Sequence, residues 1–186
     1  MRRVIFSMTT SLDGYIAGPG GDLGWSAPDE ELFLVHTERV RETGVHLLGR
    51  RLYETMVVWE TWDQRPTATE LELEFAGLWK ALPKIVFSTS LESVEGNTRL
   101  ARDGLAEEVT RLKQEPGRDI EVGGAALAAS LTRLGLIDEY QMFVCPVVLG
   151  AGTPYFPAVE QPIGLDLVET RTFAAQVVYL RYVRVG

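Results

Sequence analysis

The chain has 186 residues, of which 46% are hydrophobic and 24% charged, a balance typical of a soluble globular protein with a sizeable core. Its formal net charge of −8 argues against general nucleic-acid binding, which requires a basic face. No apolar run approaches the roughly 20 residues that span a bilayer, and the single cysteine, Cys145, excludes a disulfide framework and a cysteine-based zinc cage, so we expect a cytoplasmic protein without a metal site.

The first half of the chain alternates between predicted strands and helices. Residues 3–8 form a predicted strand, which the Gly-rich loop SLDGYIAGPGGDLGW follows. A helix is predicted from near Ser26 or Pro28 to about residue 42, because Ser26 is a possible N-cap and acidic residues occupy the first turn. VHLLG and KIVFS are typical of short buried strands, whereas RRLYETMVVW and ATELELEFAGLWKALP are typical of helices.

The second half continues this alternation and then changes. GLAEEVTRLKQEPG predicts a helix, and RDIEVGGAALAASLTRLG passes from a strand at 119–122 to a helix that starts at Ala125. EYQMFVCPVVLG, LDLVETRTFA and QVVYLRYVRV predict three closing strands. The pattern indicates one α/β domain over residues 1–186, with a mostly parallel central sheet, helices on both faces and antiparallel C-terminal strands.

Two strand-to-helix junctions carry glycine. Gly123 and Gly124 could simply allow the backbone to turn, or they could let a ligand approach the main chain and bind at a helix N-terminus. The second junction, HLLGRRLYETM, places Arg50 and Arg51 in a first helical turn, where cations oppose the helix dipole. If an anion binds there, the two cations become favourable because they pair with it. The two junctions together therefore indicate a ligand with several phosphates.

The order of motifs resembles the dihydrofolate reductase-like superfamily, particularly bacterial proteins similar to the C-terminal reductase domain of riboflavin biosynthesis. Four segments carry the resemblance and span almost the whole chain: SMTTSLDGYIAGPGGDLGW, VHLLGRRLYETM, IEVGGAALAASLTRLGLIDEY and PVVLGAGTPYFP. It implies a dihydrofolate reductase-like three-layer fold, with an eight-stranded sheet and NADPH across its strand ends.

The resemblance also implies where the adenosine half of NADPH would bind. Gly49, Arg50 and Arg51 would meet the adenosine phosphates, with Arg51 near the 2′-phosphate. Ser88 and Thr89, which follow the third predicted strand, would line the adenosine side.

The other half of the cofactor would lie at the junction of Gly123 and Gly124. Gly123 and Gly124 would pass close to the pyrophosphate and nicotinamide, and this glycine pair can carry a cis peptide in the superfamily. Ala125 borders the same surface; it and Ala126 stand where dihydrofolate reductases have a basic residue, so one phosphate contact is lost or supplied elsewhere. Residues 12–25 would form a mobile lid over the nicotinamide.

Two acidic residues are candidates for the catalytic group. Glu30 matches the acid that holds the pterin ring in dihydrofolate reductase, and Asp29 is next to it. Both residues also suit the first turn of a helix, where the dipole favours negative charge, and the sequence leaves the two interpretations open.

The substrate side of the resemblance rests on Thr153 and on aromatic residues. Thr153 matches a position that supports the substrate pocket. Trp25, Tyr15 and Tyr155 are candidates for stacking on a flat substrate, although aromatic residues near loops also pack at a rim. Tyr15 stands where riboflavin-pathway members often have a basic residue, which weakens the case for a ribose-phosphate substrate.

The function that the sequence predicts is an NADPH-dependent reductase acting on a small heterocycle or a conjugated C=N or C=O group. The resemblance places it near 5-amino-6-(5-phosphoribosylamino)uracil reductase. The alternatives are a true dihydrofolate reductase and a non-catalytic nucleotide-binding protein of the same fold. Related reductases commonly form homodimers, so we expect a homodimer here.

Overall fold

The computed structural model describes residues 1–185 as ten strands and five α-helices, joined by loops and short 3-10 turns. The strands are β1 (Val4–Thr10), β2 (Tyr15–Ala17), β3 (Val45–Gly49), β4 (Lys84–Phe87), β5 (Thr98–Ala101), β6 (Ile120–Gly123), β7 (Glu139–Val144), β8 (Thr153–Pro154), β9 (Leu165–Thr172) and β10 (Val178–Arg184). The helices are α1 (Glu30–Glu42), α2 (Arg50–Met56), α3 (Glu70–Ala81), α4 (Leu105–Gln114) and α5 (Ala125–Arg133). None of the helices in this range combines the length and the hydropathy of a membrane span.

Eight of the strands form one sheet in the order β5-β4-β3-β6-β1-β7-β10-β9. The six strands from β5 to β7 are parallel, and β10 is antiparallel to both β7 and β9. The carboxyl ends of the parallel strands therefore meet at one edge, where open α/β sheets bind their ligands. The predicted sheet, mostly parallel with antiparallel C-terminal strands, is confirmed.

Helices cover both faces of this sheet because alternate residues of its strands are apolar on each side. On one face α4 and α5 pack on a core that includes Val4, Phe6, Val122, Val109 and Leu131. On the other face α1, α2 and α3 pack on a second core that includes Leu48, Val86, Tyr53, Phe75 and Trp79. The three-layer arrangement expected from the sequence is thus the observed one.

Helix α1 begins later than the sequence suggested. Asp29 is its N-cap, and the Asp29 carboxylate accepts a hydrogen bond of 2.9 Å from the backbone N–H of Leu32. Ser26 cannot serve as the cap, because it ends a 3-10 turn and its hydroxyl donates to the carbonyl of Leu23 at 2.8 Å. Three short strands, β2, β5 and β8, were not predicted.

Candidate active site

The two glycine junctions lie side by side at the carboxyl edge of the sheet. Strands β3 and β6 are neighbours, and Leu48 pairs with Gly123. A Cβ atom on Gly124 would lie 3.5 Å from both Cα and N of Gly49. Segments separated by more than 70 residues therefore bring bare main chain together at one place.

The three glycines at this edge have different reasons to be glycine. A Cβ on Gly123 would collide with the Leu52 side chain and lie 3.0 Å from Nε2 of His46, so the packing of α2 requires its absence. Gly124 has a φ of +99°, in the region that L side chains rarely adopt. A Cβ on Gly49, at φ −76°, would make only an ordinary contact of 3.7 Å with Leu127. Among the described residues, packing explains Gly123 but does not explain Gly49.

Both helices that leave this edge present their N-termini to it. Gly49 is the N-cap of α2 and Gly124 the N-cap of α5, and within residues 1–185 no side chain caps either helix. Backbone N–H groups of the first turns remain available for an anion, and the exposed Arg50 and Arg51 lie beside them. This arrangement fits the phosphates of a dinucleotide. The peptide between Gly123 and Gly124 is trans, in contrast to the cis bond that the resemblance allows.

The two arginines have different local contacts. Arg50 lies 3.8 Å from the Glu54 carboxylate, one helical turn on. Arg51 is exposed and makes no ion pair within the described part of the chain. Arg51 is therefore the freer of the two guanidinium groups for a ligand.

The predicted adenosine side is an ordered turn after β4. The Ser88 hydroxyl oxygen accepts hydrogen bonds from the backbone N–H groups of Ser90, at 3.2 Å, and Leu91, at 3.1 Å. Arg102 donates to the carbonyl oxygens of Thr89, at 3.2 Å, and Leu91, at 3.0 Å. Ser88 thus shapes the turn, while the Thr89 side chain remains exposed. Sequence reasoning missed Arg102 because it follows β5, the unpredicted edge strand.

A cavity of about 310 Å³ opens at the ends of β1 and β7, beside the first two turns of α1. We call it the Trp25–His36 cavity. Because β1 separates β7 from β6, the cavity is one strand away from the glycine edge. Its walls include Trp25, Leu32, His36, Phe143, Cys145 and Val177.

Of the three predicted stacking residues, Trp25 lines this cavity, whereas Tyr15 and Tyr155 do not. Its indole N–H donates to the carbonyl of Asp22 at 3.1 Å, which orients the ring. Tyr15 and Thr153 lie instead on the small antiparallel sheet of β2 and β8, where Tyr15 pairs with Pro154 and Thr153 with Ala17. That sheet supports the loop that carries Trp25 rather than the cavity wall.

Tyr155 is a core residue, and its placement corrects the expectation that it stacks on a substrate. Its side chain is 1% exposed, and its ring lies 4.3 Å from that of Phe6. The hydroxyl donates toward the backbone carbonyl oxygens of Phe6, at 2.9 Å, and Gln141, at 3.1 Å. The ring therefore packs on the opposite face of the sheet and bridges β1 and β7.

The two candidate acids lie at the surface. Asp29 caps α1, and Glu30 is the exposed first residue of that helix. Within residues 1–185, the cavity lining includes neither of them nor any other carboxylate. The structure thus favours the helix-dipole interpretation of both residues over a substrate role.

His36 is the functional candidate that sequence reasoning missed. It lies on α1 four residues after Leu32, and only the folded sheet shows that this face of the helix borders a cavity. The imidazole lies 4.7 Å from the Phe143 ring in a T-shaped arrangement. Burial, and then the charge of Arg39, lower the pKa of His36 to about 4 despite the opposing effect of Glu121, so the ring is neutral at neutral pH.

A second, charged groove of about 540 Å³ lies between α1 and β10, on the other side of Phe143. Its centre is an ion pair of 3.1 Å between the Arg39 guanidinium and the Glu121 carboxylate. Burial is the largest influence and would by itself raise the pKa of Glu121, but the charges of Arg39 and His46 and the hydrogen bonds from Thr43 and Arg39 together lower that pKa to about 2. The Thr43 hydroxyl lies 2.8 Å from the other carboxylate oxygen of Glu121 and 2.8 Å from the carbonyl of Arg39, and it can donate to either.

The start of the predicted lid is fixed to a distant loop. The Asp13 carboxylate accepts hydrogen bonds from the Ser11 hydroxyl, at 2.7 Å, and from the backbone N–H groups of Leu149, at 3.1 Å, and Gly150, at 2.7 Å. The hydrogen bond from Ser11 has the largest effect, and together these bonds hold the pKa of Asp13 below its ordinary value. The motifs SLDG and VLGAGTP are therefore held together at Asp13, and we call this set of hydrogen bonds the joint at Asp13.

The fold and this edge allow comparison with known proteins. The model of the RibD C-terminal domain matches residues 2–179. The chain belongs to the RibD C-terminal domain family. Its relative YyaP from Bacillus subtilis (strain 168), an uncharacterized protein, is 34% identical over 182 residues, which are 97% of this chain and 94% of YyaP.

Solved structures agree with the family assignment. A putative riboflavin biosynthesis protein from Shewanella sp. PV-4 matches with a TM-score of 0.76 and 20% identity, over 99% of each chain. Dihydrofolate reductase from Enterococcus faecalis, complexed with NADP(H) and RAB-propyl, matches with a TM-score of 0.64 and 16% identity, over 99% of this chain and 97% of that chain. At such identities these two matches show a shared fold, and the family model together with this fold confirms the resemblance predicted from the sequence.

Proposed function

We propose that this RibD C-terminal domain protein is an NADPH-dependent reductase that transfers hydride to a small heterocycle or a conjugated C=N or C=O group. One observation carries the proposal. The uncapped N-termini of α2 and α5 meet at Gly49 and Gly124, beside Arg50 and Arg51, one strand away from the Trp25–His36 cavity. A phosphate cradle next to a cavity is the arrangement that hydride transfer from a dinucleotide requires.

The roles of the residues follow from this arrangement. Main-chain N–H groups at Gly49 and Gly124 would hold the pyrophosphate, and Arg51 would pair with the 2′-phosphate. Bound NADPH would supply the hydride and leave as NADP⁺. Trp25 would cover one face of the substrate and Leu32 and Phe143 would exclude water from its other sides. Because the described lining holds no carboxylic acid, the proton that accompanies the hydride would come from water.

Cofactor titration tests the proposal directly. NADPH at saturating concentration is expected to raise the melting temperature and to quench tryptophan fluorescence, because Trp25 lies beside the proposed nicotinamide position. Absence of both effects would falsify the reductase proposal. Binding without oxidation of NADPH by any tested heterocycle would instead favour the non-catalytic alternative.

The dihydrofolate reductase alternative has its own assay. In dihydrofolate reductases an acid holds the pterin ring, whereas the described cavity lining here has none. We therefore expect dihydrofolate to support little NADPH oxidation, followed by absorbance at 340 nm. Efficient turnover of dihydrofolate would make the alternative the correct function.

We also propose that the protein is a homodimer. Strand β9 is an edge strand of eight residues, and its outer side is unpaired in the described chain. Leu167 and Val168 on this strand are 53% and 51% exposed. A long edge strand with exposed apolar side chains is open to pairing, and a second copy of the chain would cover this one.

A further inference from the structure

The walls of the Trp25–His36 cavity carry no charge within the described part of the chain. Their titratable side chains are His36 and Cys145, and burial raises the pKa of the Cys145 thiol. The other walls are aromatic, aliphatic or hydroxyl-bearing, including Trp25, Phe143 and Thr9. A phosphate or carboxylate placed among them would lose its hydration without gaining an ionic partner, which is costly.

The nearest cation does not alter this conclusion. Arg39 lies on α1, with its guanidinium carbon 5.8 Å from the centre of the Phe143 ring. Its charge is directed into the charged groove, where it pairs with Glu121 at 3.1 Å and donates to Gln141. Phe143 lines both cavities and separates Arg39 from the Trp25–His36 cavity.

Besides the Thr9 hydroxyl, His36 is the polar side chain of the described lining that is left for a ligand. Its imidazole makes no hydrogen bond to another residue of the described range, and the partly buried ring lines the cavity wall. As a neutral ring it offers one N–H donor and one acceptor nitrogen. A substrate carbonyl could accept from the N–H, and a substrate N–H could donate to the other nitrogen.

The volume limits the size of the substrate. At about 310 Å³ the cavity lies at the lower end of the range of about 300–1,000 Å³ that small-molecule pockets occupy. One or two fused rings fill such a space. A ring that also carries a ribose phosphate would extend beyond its uncharged walls.

We propose that the Trp25–His36 cavity selects a compact, flat, uncharged heterocycle whose carbonyl or ring nitrogen hydrogen-bonds to His36, and that it rejects phosphorylated and carboxylated analogues. The inference rests on the proposed reductase function, because it takes this cavity as the substrate site. It separates this protein from the phosphoribosyl substrate that its resemblance suggests.

Two matched pairs of probes test the charge requirement: quinoxaline-2-carboxamide with quinoxaline-2-carboxylate, and benzamide with benzoate. Each pair differs in charge but hardly in shape. Binding is followed without NADPH through the indole N–H signal of Trp25 in ¹H–¹⁵N spectra at pH 7.5, assigned with Trp25→Phe. We expect the amides to shift this signal and the acids to bind at least tenfold more weakly. Equal or tighter binding of the acids, or no binding of either amide, would overturn the proposal.

Variants of α1 test the role of His36. His36→Leu is expected to weaken quinoxaline-2-carboxamide by about threefold to tenfold, the value of one hydrogen bond, and His36→Gln to recover part of the loss. Leu34→Ala is the matched control, because Leu34 is on the same helix and 43% exposed. Unchanged affinity in His36→Leu, or an equal loss in both leucine and glutamine variants, would show that His36 makes no such bond.

The results also separate this inference from the reductase proposal. If NADPH binds and is oxidised but the acids are preferred, the reductase stands and the substrate class is wrong. If the amides bind as expected but NADPH does not, the cavity assignment stands and the reductase proposal fails.

Discussion

A Cβ atom placed on Gly124 would lie 3.5 Å from the Cα atom of Gly49, so the two strand-to-helix junctions of this protein touch. The contact joins the ends of β3 and β6, which are adjacent in the sheet. It also separates two kinds of glycine, because Gly124 has a φ of +99° and Gly49 does not have a positive φ. The backbone requires glycine at position 124, whereas at position 49 a Cβ atom would make only ordinary contacts.

Alanine should therefore reduce a different property at each position: the stability of the fold at 124 and the affinity for NADPH at 49. Gly124→Ala places a side chain in the left-handed region and is expected to destabilise the fold by roughly 1–2 kcal/mol. Gly49→Ala should leave stability unchanged in urea unfolding, because its Cβ makes only ordinary contacts. We expect Gly49→Ala to weaken NADPH at least tenfold in fluorescence titration, since the added methyl group enters the proposed cradle. Full NADPH affinity in this variant would exclude a close approach of the cofactor at Gly49.

Arg51 should determine the preference between NADPH and NADH. Removal of a hydrogen bond to a charged phosphate costs about 1.5–3 kcal/mol, so Arg51→Ala is expected to weaken NADPH by tenfold to about a hundredfold and NADH by less than twofold. Arg133→Ala is the control, because Arg133 is an exposed arginine at the far end of α5. Equal losses for the two cofactors would contradict a 2′-phosphate contact.

His36 should make the fold sensitive to mild acid. Its folded pKa of about 4 lies below the ordinary value of 6.5, so between these pH values the unfolded chain binds a proton that the folded chain does not. Stability should fall as the pH drops from about 6.5 toward 4, by up to about 3 kcal/mol from this group. The charged groups that act on it are Arg39 on its own helix and Glu121 on β6.

The His36→Leu variant isolates this contribution. Urea unfolding of the two proteins at pH 7, 6 and 5 should give a flatter dependence for the variant, whatever its absolute stability. His46 remains in both proteins, and burial lowers its pKa in the same direction. Identical pH dependences would mean that His36 is charged in the folded protein or exposed to solvent.

Replacing one partner of the ion pair of Arg39 and Glu121 should reduce the stability of the fold more than replacing both. Arg39→Met leaves a buried carboxylate without its cation, which is expected to cost about 3–5 kcal/mol. Arg39→Met combined with Glu121→Leu should recover most of that loss. Arg41→Met, which breaks exposed pairs with Glu38 on the same helix and with Glu74 on α3, should change stability little. Additive losses in the double variant would show that the pair does not act as a unit.

The proposed dimer can be tested at β9. Light scattering should give about twice the 20.7 kDa mass of the chain. Val168→Lys should shift the protein toward the monomer, because it places a charge on the exposed apolar edge. A wild-type mass near that of one chain would contradict the dimer.

Much of the fold could be predicted because its signals are local. Glycine or proline marks several element boundaries, and the buried strands β3, β4 and β6 are short apolar runs. Strand β5 escaped prediction because it pairs only with β4, and Thr98–Ala101 shows no apolar run. Strands β2 and β8 have three and two residues, too few for a periodic pattern.

The site could be predicted where it depends on neighbouring residues in the chain, and not where it depends on the sheet. Arg50 and Arg51 could be singled out because cations in the first turn of a helix oppose its dipole. His36 could not, because Phe143 and Cys145, which complete its cavity, lie more than 100 residues away. The prediction that Tyr155 stacks on a substrate was wrong for the same reason. Only the pairing of β1 with β7 shows that its hydroxyl bridges the backbones of these two strands.

The joint at Asp13 limits how the Gly-rich segment can swing. Its carboxylate fastens the beginning of that segment to Leu149 and Gly150, and the pairing of Ala17 with Thr153 extends the fastening. Any opening and shutting over the nicotinamide position must therefore pivot after Ala17, with Trp25 near the moving tip. Access for substrate would then be controlled by the loop of residues 18–25 rather than by the whole Gly-rich segment.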